Sequence, residues 1–246
     1  LKKHLPNALT CLNLLCGCLA LTLVLGDNPK LSGYLPSSFS WLPLVRAAYL
    51  IGLAAVADFL DGLVARALHV SSPIGKDLDS LADMVSFGVV PGAILFKLLQ
   101  HALPAAGLPE GLAYLAFTVS IFSALRLAKF NNDTRQTDSF IGLPTPACTL
   151  VVASLPLILA HDQFGLHAFV LNPWVLLGLT FLLSGLLVAE IPLFALKFKN
   201  LTWADNSLRF VFLLLTAGLL VGLGAAAVPL IVLLYVLLSM ARPAFG

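Results

Sequence analysis

Residues 44–83 read LVRAAYLIGLAAVADFLDGLVARALHVSSPIGKDLDSLAD. The first half stays apolar long enough to cross a bilayer as a helix, which takes about 20 such residues. The second half begins with a Ser-Ser-Pro-x-Gly connection and then takes up a new helical pattern. Helices joined by so short a link pack as antiparallel neighbours. Their shared end carries Asp58, Asp61, Asp77, Asp79 and Asp83, five of the twelve acidic residues in the chain of 246.

The rest of the chain has the same character. Hydrophobic residues make up 59% and charged residues 11%, with a mean hydropathy of +0.98. Soluble domains average roughly 45–50% apolar and 25% charged residues. So few charges cannot clothe a soluble surface, and the same counts exclude disorder, a coiled coil and a disulfide scaffold. A net charge of +2 with sparse lysines leaves no electrostatic footprint for a nucleic-acid partner. Eight spanning helices are predicted, over residues 6–25, 44–68, 80–99, 111–130, 145–160, 174–193, 208–221 and 225–240. The last two flank a very short hairpin near Gly222, Gly224 and Pro229. The expected fold is an all-α polytopic membrane helix bundle, a single integral membrane domain over residues 1–246.

With both termini cytoplasmic, Lys2, Lys3, Arg66, Lys76, Arg126, Lys129, Arg135, Lys197, Lys199, Arg209 and Arg242 lie inside. Only Lys30, Arg46 and Lys97 lie outside, and eleven against three satisfies the positive-inside rule. Residues 26–43, rich in Pro, Ser and Gly, read as an irregular outer connector. The start, Leu1-Lys2-Lys3-His4, resembles the basic region of a signal peptide. No small-residue cleavage pattern follows, and Leu14-Leu15-Cys16 lacks the small residue that precedes a lipidated cysteine, so the first helix is expected to be retained. Cys11, Cys16, Cys18 and Cys148 lie in apolar segments without zinc spacing and read as packing residues.

The acidic cluster carries the chemistry. Asp58 and Asp61 are three residues apart, and Asp79 and Asp83 four apart, so each pair shares a helix face. All four converge at one interface of the membrane, where uncompensated carboxylates are costly. Oxygen ligands without His or Cys suit a hard cation such as Mg²⁺, Mn²⁺ or Ca²⁺. Two such ions bridged by shared carboxylates would serve phosphoryl chemistry. A cation or proton transporter could use the same acids, although transporter sites usually lie nearer the midplane. Asp77 falls out of phase with Asp79 and is expected to face solvent. Gly62, Ala65 and Gly75 leave room for a flat ligand to approach the backbone, and Arg66 could hold a phosphate.

The full string is Asp58-x2-Asp61-Gly62-x2-Ala65-Arg66-x8-Gly75-x3-Asp79-x3-Asp83. It resembles the CDP-alcohol phosphotransferase family, whose signature it matches at every fixed position. That resemblance implies a six-helix core over residues 1–200 with two additional helices in 201–246, a homodimer among membrane lipids, and a polar cavity facing the cytoplasm. It implies two divalent cations held by Asp58, Asp61, Asp79 and Asp83, with Asp83 also the base that takes the acceptor's proton. Gly62, Ala65, Arg66 and Gly75 would line the cytidine site. Asn7, Thr10 and Asn13 form a polar stripe that serves either helix packing or a wall of that site. His69 lies in the x8 gap and is a weaker candidate for a direct role.

Four further stretches, SLADMVSFGVVP (80–91), ALRLAKFN (124–131), GLPTPA (142–147) and LVAEIP (187–192), resemble the branch whose members use serine as acceptor, as does the opening Pro6-Asn7-x2-Thr10-x2-Asn13-Leu14-x2-Gly17. Ala189 stands where that branch more often has serine. The implied substrates are CDP-diacylglycerol and serine. Arg126, Lys129 and Arg135 offer cations for the serine carboxylate, and Ser86, Asn131 and the carbonyls of residues 142–144 offer acceptors for its ammonium. Arg135 reads better as a membrane-surface charge. Glycerol 3-phosphate or inositol phosphate is the alternative acceptor, but a phosphate dianion would want a denser basic pocket. Glu190 is expected to pair with Lys197 or with a neighbouring helix.

Overall fold

The computed structural model describes residues 4–26, 40–70, 72–132, 139–194 and 202–241. They form α1 (Leu5–Leu25), α2 (Leu42–Ala67), α3 (Pro73–Ala105), α4 (Glu110–Asn132), α5 (Thr145–Ala160), α6 (Pro173–Val188), α7 (Trp203–Leu223) and α8 (Ala227–Ala241). Helices α1 to α4 and the stretch Asn206–Met240 are each long and apolar enough to cross a membrane; α5 and α6 are shorter apolar helices. The protein is an all-α polytopic membrane protein. The outer connector 27–39 and the basic residues Lys2, Lys3, Lys30, Arg135, Lys197, Lys199 and Arg242 lie outside the described residues.

Prolines mark most of the helix starts. Pro6, Pro43, Pro73, Pro146 and Pro173 stand in the first two positions of α1, α2, α3, α5 and α6, where a missing N–H breaks no intrahelical bond. Ser72 caps α3 by accepting from the Gly75 N–H at 3.0 Å, and Asn172 caps α6 through the Trp174 N–H at 2.9 Å.

Helix α3 is the most deeply buried of the long helices, with Phe87, Val90, Ile94, Leu95, Leu98 and Leu99 fully enclosed. Helix α1 crosses it at Gly17, where an added Cβ would lie 2.9 Å from Ser86 Cα. Only glycine permits this approach. Directly after Asp83, residues Met84–Val89 wind as a π-helix. Pro91 contributes no N–H to this stretch, and neighbouring hydroxyls reach into it. Thr149 Oγ1 of α5 donates to Phe87 O and Ser120 Oγ of α4 to Gly88 O, both at 2.8 Å, while Ser86 Oγ donates to Asn13 O of α1 at 3.0 Å.

The sixth span departs from expectation at its end. The apolar pattern runs to residue 193, but the helix stops at Val188 and the chain turns extended at Ala189. The residue before Pro192 is biased away from helix, and β2 (Pro192–Phe194) pairs antiparallel with β1 (Ser139–Ile141), in register Ile141 to Pro192 and Ser139 to Phe194. Gly142 follows β1 at φ +76°, its N–H donating to Ile191 O at 3.0 Å, and the Leu143 N–H bonds Leu186 O at 2.8 Å. An added Cβ at Gly142 would lie 2.7 Å from Leu187 O, so this corner requires glycine for both reasons.

Helices α7 and α8 fold back on one another about Gly224, at φ +54°, with the Phe212 and Tyr235 rings meeting at 5.7 Å. At the turn, the Ala226 N–H donates to Gln163 Oε1 at 3.2 Å. Helix α8 packs on α5 and β2.

Candidate active site

The site is built where α2 ends and α3 begins. Asp58, Asp61 and Asp79 each bring one carboxylate oxygen to a common point, all within 4.8 Å of one another. Asp58 also lies within hydrogen-bonding reach of Asp79 and Asp83, so the fourth carboxylate adjoins the cluster through Asp58. The three- and four-residue spacings produce this arrangement, because they put each pair on the face that one helix presents to the other.

Helix α1 closes the cluster from the side. Thr10 Oγ1 donates to Asp61 Oδ2 at 2.6 Å, and Asn13 Nδ2 donates to Asp83 Oδ1 at 3.1 Å. The polar stripe of α1 therefore faces the acids. Thr10 and Asn13 are buried, and Asp61 is 7% exposed. Asp79 Oδ1 is buried with no hydrogen-bond partner among the described residues. Converging carboxylates with an orphaned oxygen and no nitrogen or sulfur donor fit a hard divalent cation.

Beside the cluster lies an open cleft of about 240 Å³. Pro6, Asn7 and Thr10 line it from α1; Asp61, Gly62 and Ala65 from α2; Val70 and Ser72 from the connection; and Gly75, Lys76 and Asp79 from α3. Around Gly62 an added Cβ would meet nothing within 4 Å, so the cleft has open backbone on that wall. At Gly75 a Cβ would press on Ser72 Oγ at 3.0 Å and Asn7 Oδ1 at 3.2 Å. Arg66 is exposed at the end of α2, its Nε donating to Gly62 O at 3.0 Å.

His69 does not line the cleft. It is exposed at φ +51°, with its N–H bonded to Arg66 O and the Val70 N–H bonded to Ala65 O, the two bonds of a Schellman end to α2. Asp77 is exposed.

The residues expected at an acceptor site divide. Arg126, on α4, is 7% exposed, and its Nε has no hydrogen-bond partner among the described residues. Its guanidinium lies 5.7 Å from the Phe130 ring centroid and within electrostatic range of Asp83, Cys148 and Tyr235. Ser123 Oγ, one turn earlier on α4, and Thr145 Oγ1, one turn before Cys148 on α5, are likewise buried without partners. Ser86 is buried, with its hydroxyl on Asn13 O. Lys129 pairs instead with Glu190 at 3.0 Å, and Asn131 bridges to α3, its Nδ2 on Ser80 Oγ at 2.7 Å and its carbonyl taking Lys76 Nζ at 3.0 Å. Arg135 and Lys197 lie outside the described residues.

Sequence reasoning passed over Ser123, Thr145, the cleft position of Lys76 and the β1–β2 ribbon. A Thr between two prolines and a Ser within an apolar helix carry little signal; the Gly142-Leu143-Pro144 corner and Pro192 were the available hints of extended chain.

Comparison with known proteins follows the same lines. The family model described as CDP-alcohol phosphatidyltransferase matches residues 3–188. A Bacillus subtilis protein named CDP-diacylglycerol–serine O-phosphatidyltransferase is 33% identical over 169 residues, covering 67% of this chain and 84% of its own length. A Helicobacter pylori protein of the same name is 34% identical over 179 residues, 71% of this chain and 70% of that one. A like-named Saccharomyces cerevisiae protein is 38% identical over 120 residues, covering 45% of this chain and 41% of its own. With the family model spanning more than half of its residues, this chain belongs to the CDP-alcohol phosphatidyltransferase family.

Proposed function

We propose that the protein transfers the phosphatidyl group of CDP-diacylglycerol to the hydroxyl of serine, releasing CMP. The observation that carries this reading is the convergence of Asp58, Asp61 and Asp79 beside an open cleft walled by Gly62 and Gly75. The names of the Bacillus and Helicobacter relatives support serine as the acceptor.

Asn7, Thr10, Gly62, Ala65, Arg66 and Gly75 hold the cytidine and its diphosphate, with bare backbone at Gly62 admitting a flat base. Divalent cations, two Mg²⁺ or Mn²⁺ with Ca²⁺ a further choice, would be held by Asp58, Asp61, Asp79 and Asp83 and would neutralise the diphosphate charge. Asp83 takes the proton from the serine hydroxyl as its oxygen attacks the phosphorus nearest the lipid; the bond to the CMP oxygen breaks, and CMP leaves with the electron pair. The Asn13 amide orients Asp83 for that role.

Arg126 receives the serine carboxylate. A buried guanidinium with an unpartnered Nε is costly until an anion pairs with it, and Ser123 and Thr145 offer further hydrogen bonds nearby. Ser86 and Asn131 border this side, and Lys129 acts at one remove, through Glu190. Residues 1–200 form the catalytic core. The enzyme resides in the inner (cytoplasmic) membrane among lipids, as a homodimer. Its site faces the cytoplasm, a placement supported by the eleven-to-three bias in basic residues.

Purified protein supplied with CDP-diacylglycerol, Mg²⁺ or Mn²⁺ and a panel of alcohols tests the reading through CMP release. Serine should support release; glycerol 3-phosphate and inositol phosphate should not, and EDTA should abolish it. No release with serine overturns the acceptor assignment. A transporter using the same acids would move ions without either substrate.

A further inference from the structure

The family model stops at residue 188, yet α8 touches the acceptor side of the site. The contact runs through one residue of β2. Phe194 is buried, and both of its backbone groups are satisfied from α8. Tyr235 Oη donates to Phe194 O at 2.8 Å, and the Phe194 N–H donates to Ser239 Oγ at 3.4 Å. The rings of Phe194 and Tyr235 meet edge to face at 4.9 Å, and Phe212 of α7 packs against both at 5.7 Å. The edge of β2 is thereby closed by side chains of a distant helix, where an open edge would leave buried backbone groups unpaired.

Tyr235 also stands within electrostatic range of Arg126. The strand it holds pairs with β1, and β1 leads into Thr145 through Gly142, bonded to Ile191 just before β2, and Leu143, bonded to Leu186 of α6. The Tyr235 hydroxyl thus stands between the ribbon that leads into Thr145, to which it is hydrogen-bonded, and the guanidinium on α4. We propose that Tyr235, seconded by Ser239, is a positioning residue for the acceptor, setting the pocket between Arg126 and Thr145 from a helix beyond the matched family core. This rests on the reading of Arg126 as the acceptor's partner.

Tyr235→Phe tests the proposal, because it keeps the ring cluster and removes only the hydroxyl. The wild type first identifies which alcohol supports CMP release, and that alcohol is then titrated in both proteins, so a wrong choice of serine registers separately. The acceptor KM should rise about five-fold, the order of one net hydrogen bond, while kcat, the CDP-diacylglycerol KM and the melting temperature in detergent stay near wild type. Amide exchange at Phe194 and Gly142 should quicken. Ser239→Ala should move the same quantities by less, its bond being longer. An unchanged acceptor KM overturns the proposal, and so does a rise shared by both substrates, which would mark a merely structural role.

Discussion

The two sides of the site are made differently. The proposed nucleotide side draws on one contiguous stretch, residues 58–83, with α1 laid across it; its geometry follows from helical spacing and a short link. The proposed acceptor side is assembled from the ends of α4, α5 and α6, a two-stranded ribbon and a helix whose Tyr235 lies forty-one residues beyond Phe194. The first is held by side chains that meet one another. The second is held largely by backbone groups finding partners.

This contrast is sharpened most by Asp83→Asn. With the proton acceptor removed and the other three carboxylates intact, kcat should fall about 10²–10⁴-fold while the CDP-diacylglycerol KM hardly moves; near-normal turnover would take the base assignment away. Arg126→Ala comes next. It should raise the serine KM about ten-fold or more, as expected for a charge-assisted hydrogen bond, with Arg126→Lys intermediate and the CDP-diacylglycerol KM unaffected. Equal effects on both substrates would show that the two sides are not separable. Gly62→Val places branched carbon in open space, so the protein should fold normally. The CDP-diacylglycerol KM should nonetheless rise about five-fold from overpacking against the ligand, and normal nucleotide affinity would move the cytidine elsewhere. The smallest effect is expected from His69→Gly. Relieving a non-glycine residue at positive φ should stabilise the detergent-solubilised protein by up to about 1 kcal/mol, read as melting temperature, with activity unchanged; a large loss of activity would return His69 to the site.

What was legible in the sequence follows the same division. The helices could be read because apolar length and proline-marked starts are local properties, and α1 to α4 begin or end within a few residues of expectation apart from the long amphipathic entry to α3 (Pro73–Asp83). The acidic cluster could be read because three- and four-residue spacings leave little freedom. A neighbouring helix was one expected partner of Glu190, but not which residue on it, since Lys129 lies sixty-one residues away and helix packing alone brings them together. The β ribbon was hidden because three-residue strands have no period to detect, and LVAEIPLF reads equally well as the tail of a span. Arg126 was visible as a charge near a helix end, but its burial and unpartnered Nε became visible only in three dimensions.

The π-turn at Met84–Val89 has a consequence for how the chain tolerates change. Such a turn holds one more residue than an α-helix would in the same length. Residues on its two sides are therefore offset by about 100° from the phase of an uninterrupted α-helix. Asp79 faces the carboxylates of α2 on one side of that offset, and Val90, Ile94 and Leu98 lie in the packed interior on the other. Deleting a single residue from this segment would leave composition and hydropathy almost untouched, yet turn the carboxylates by about 100° relative to the buried half of the helix. The extra residue works as a phase shifter, setting the angle between the carboxylate face and the enclosed half of the same helix.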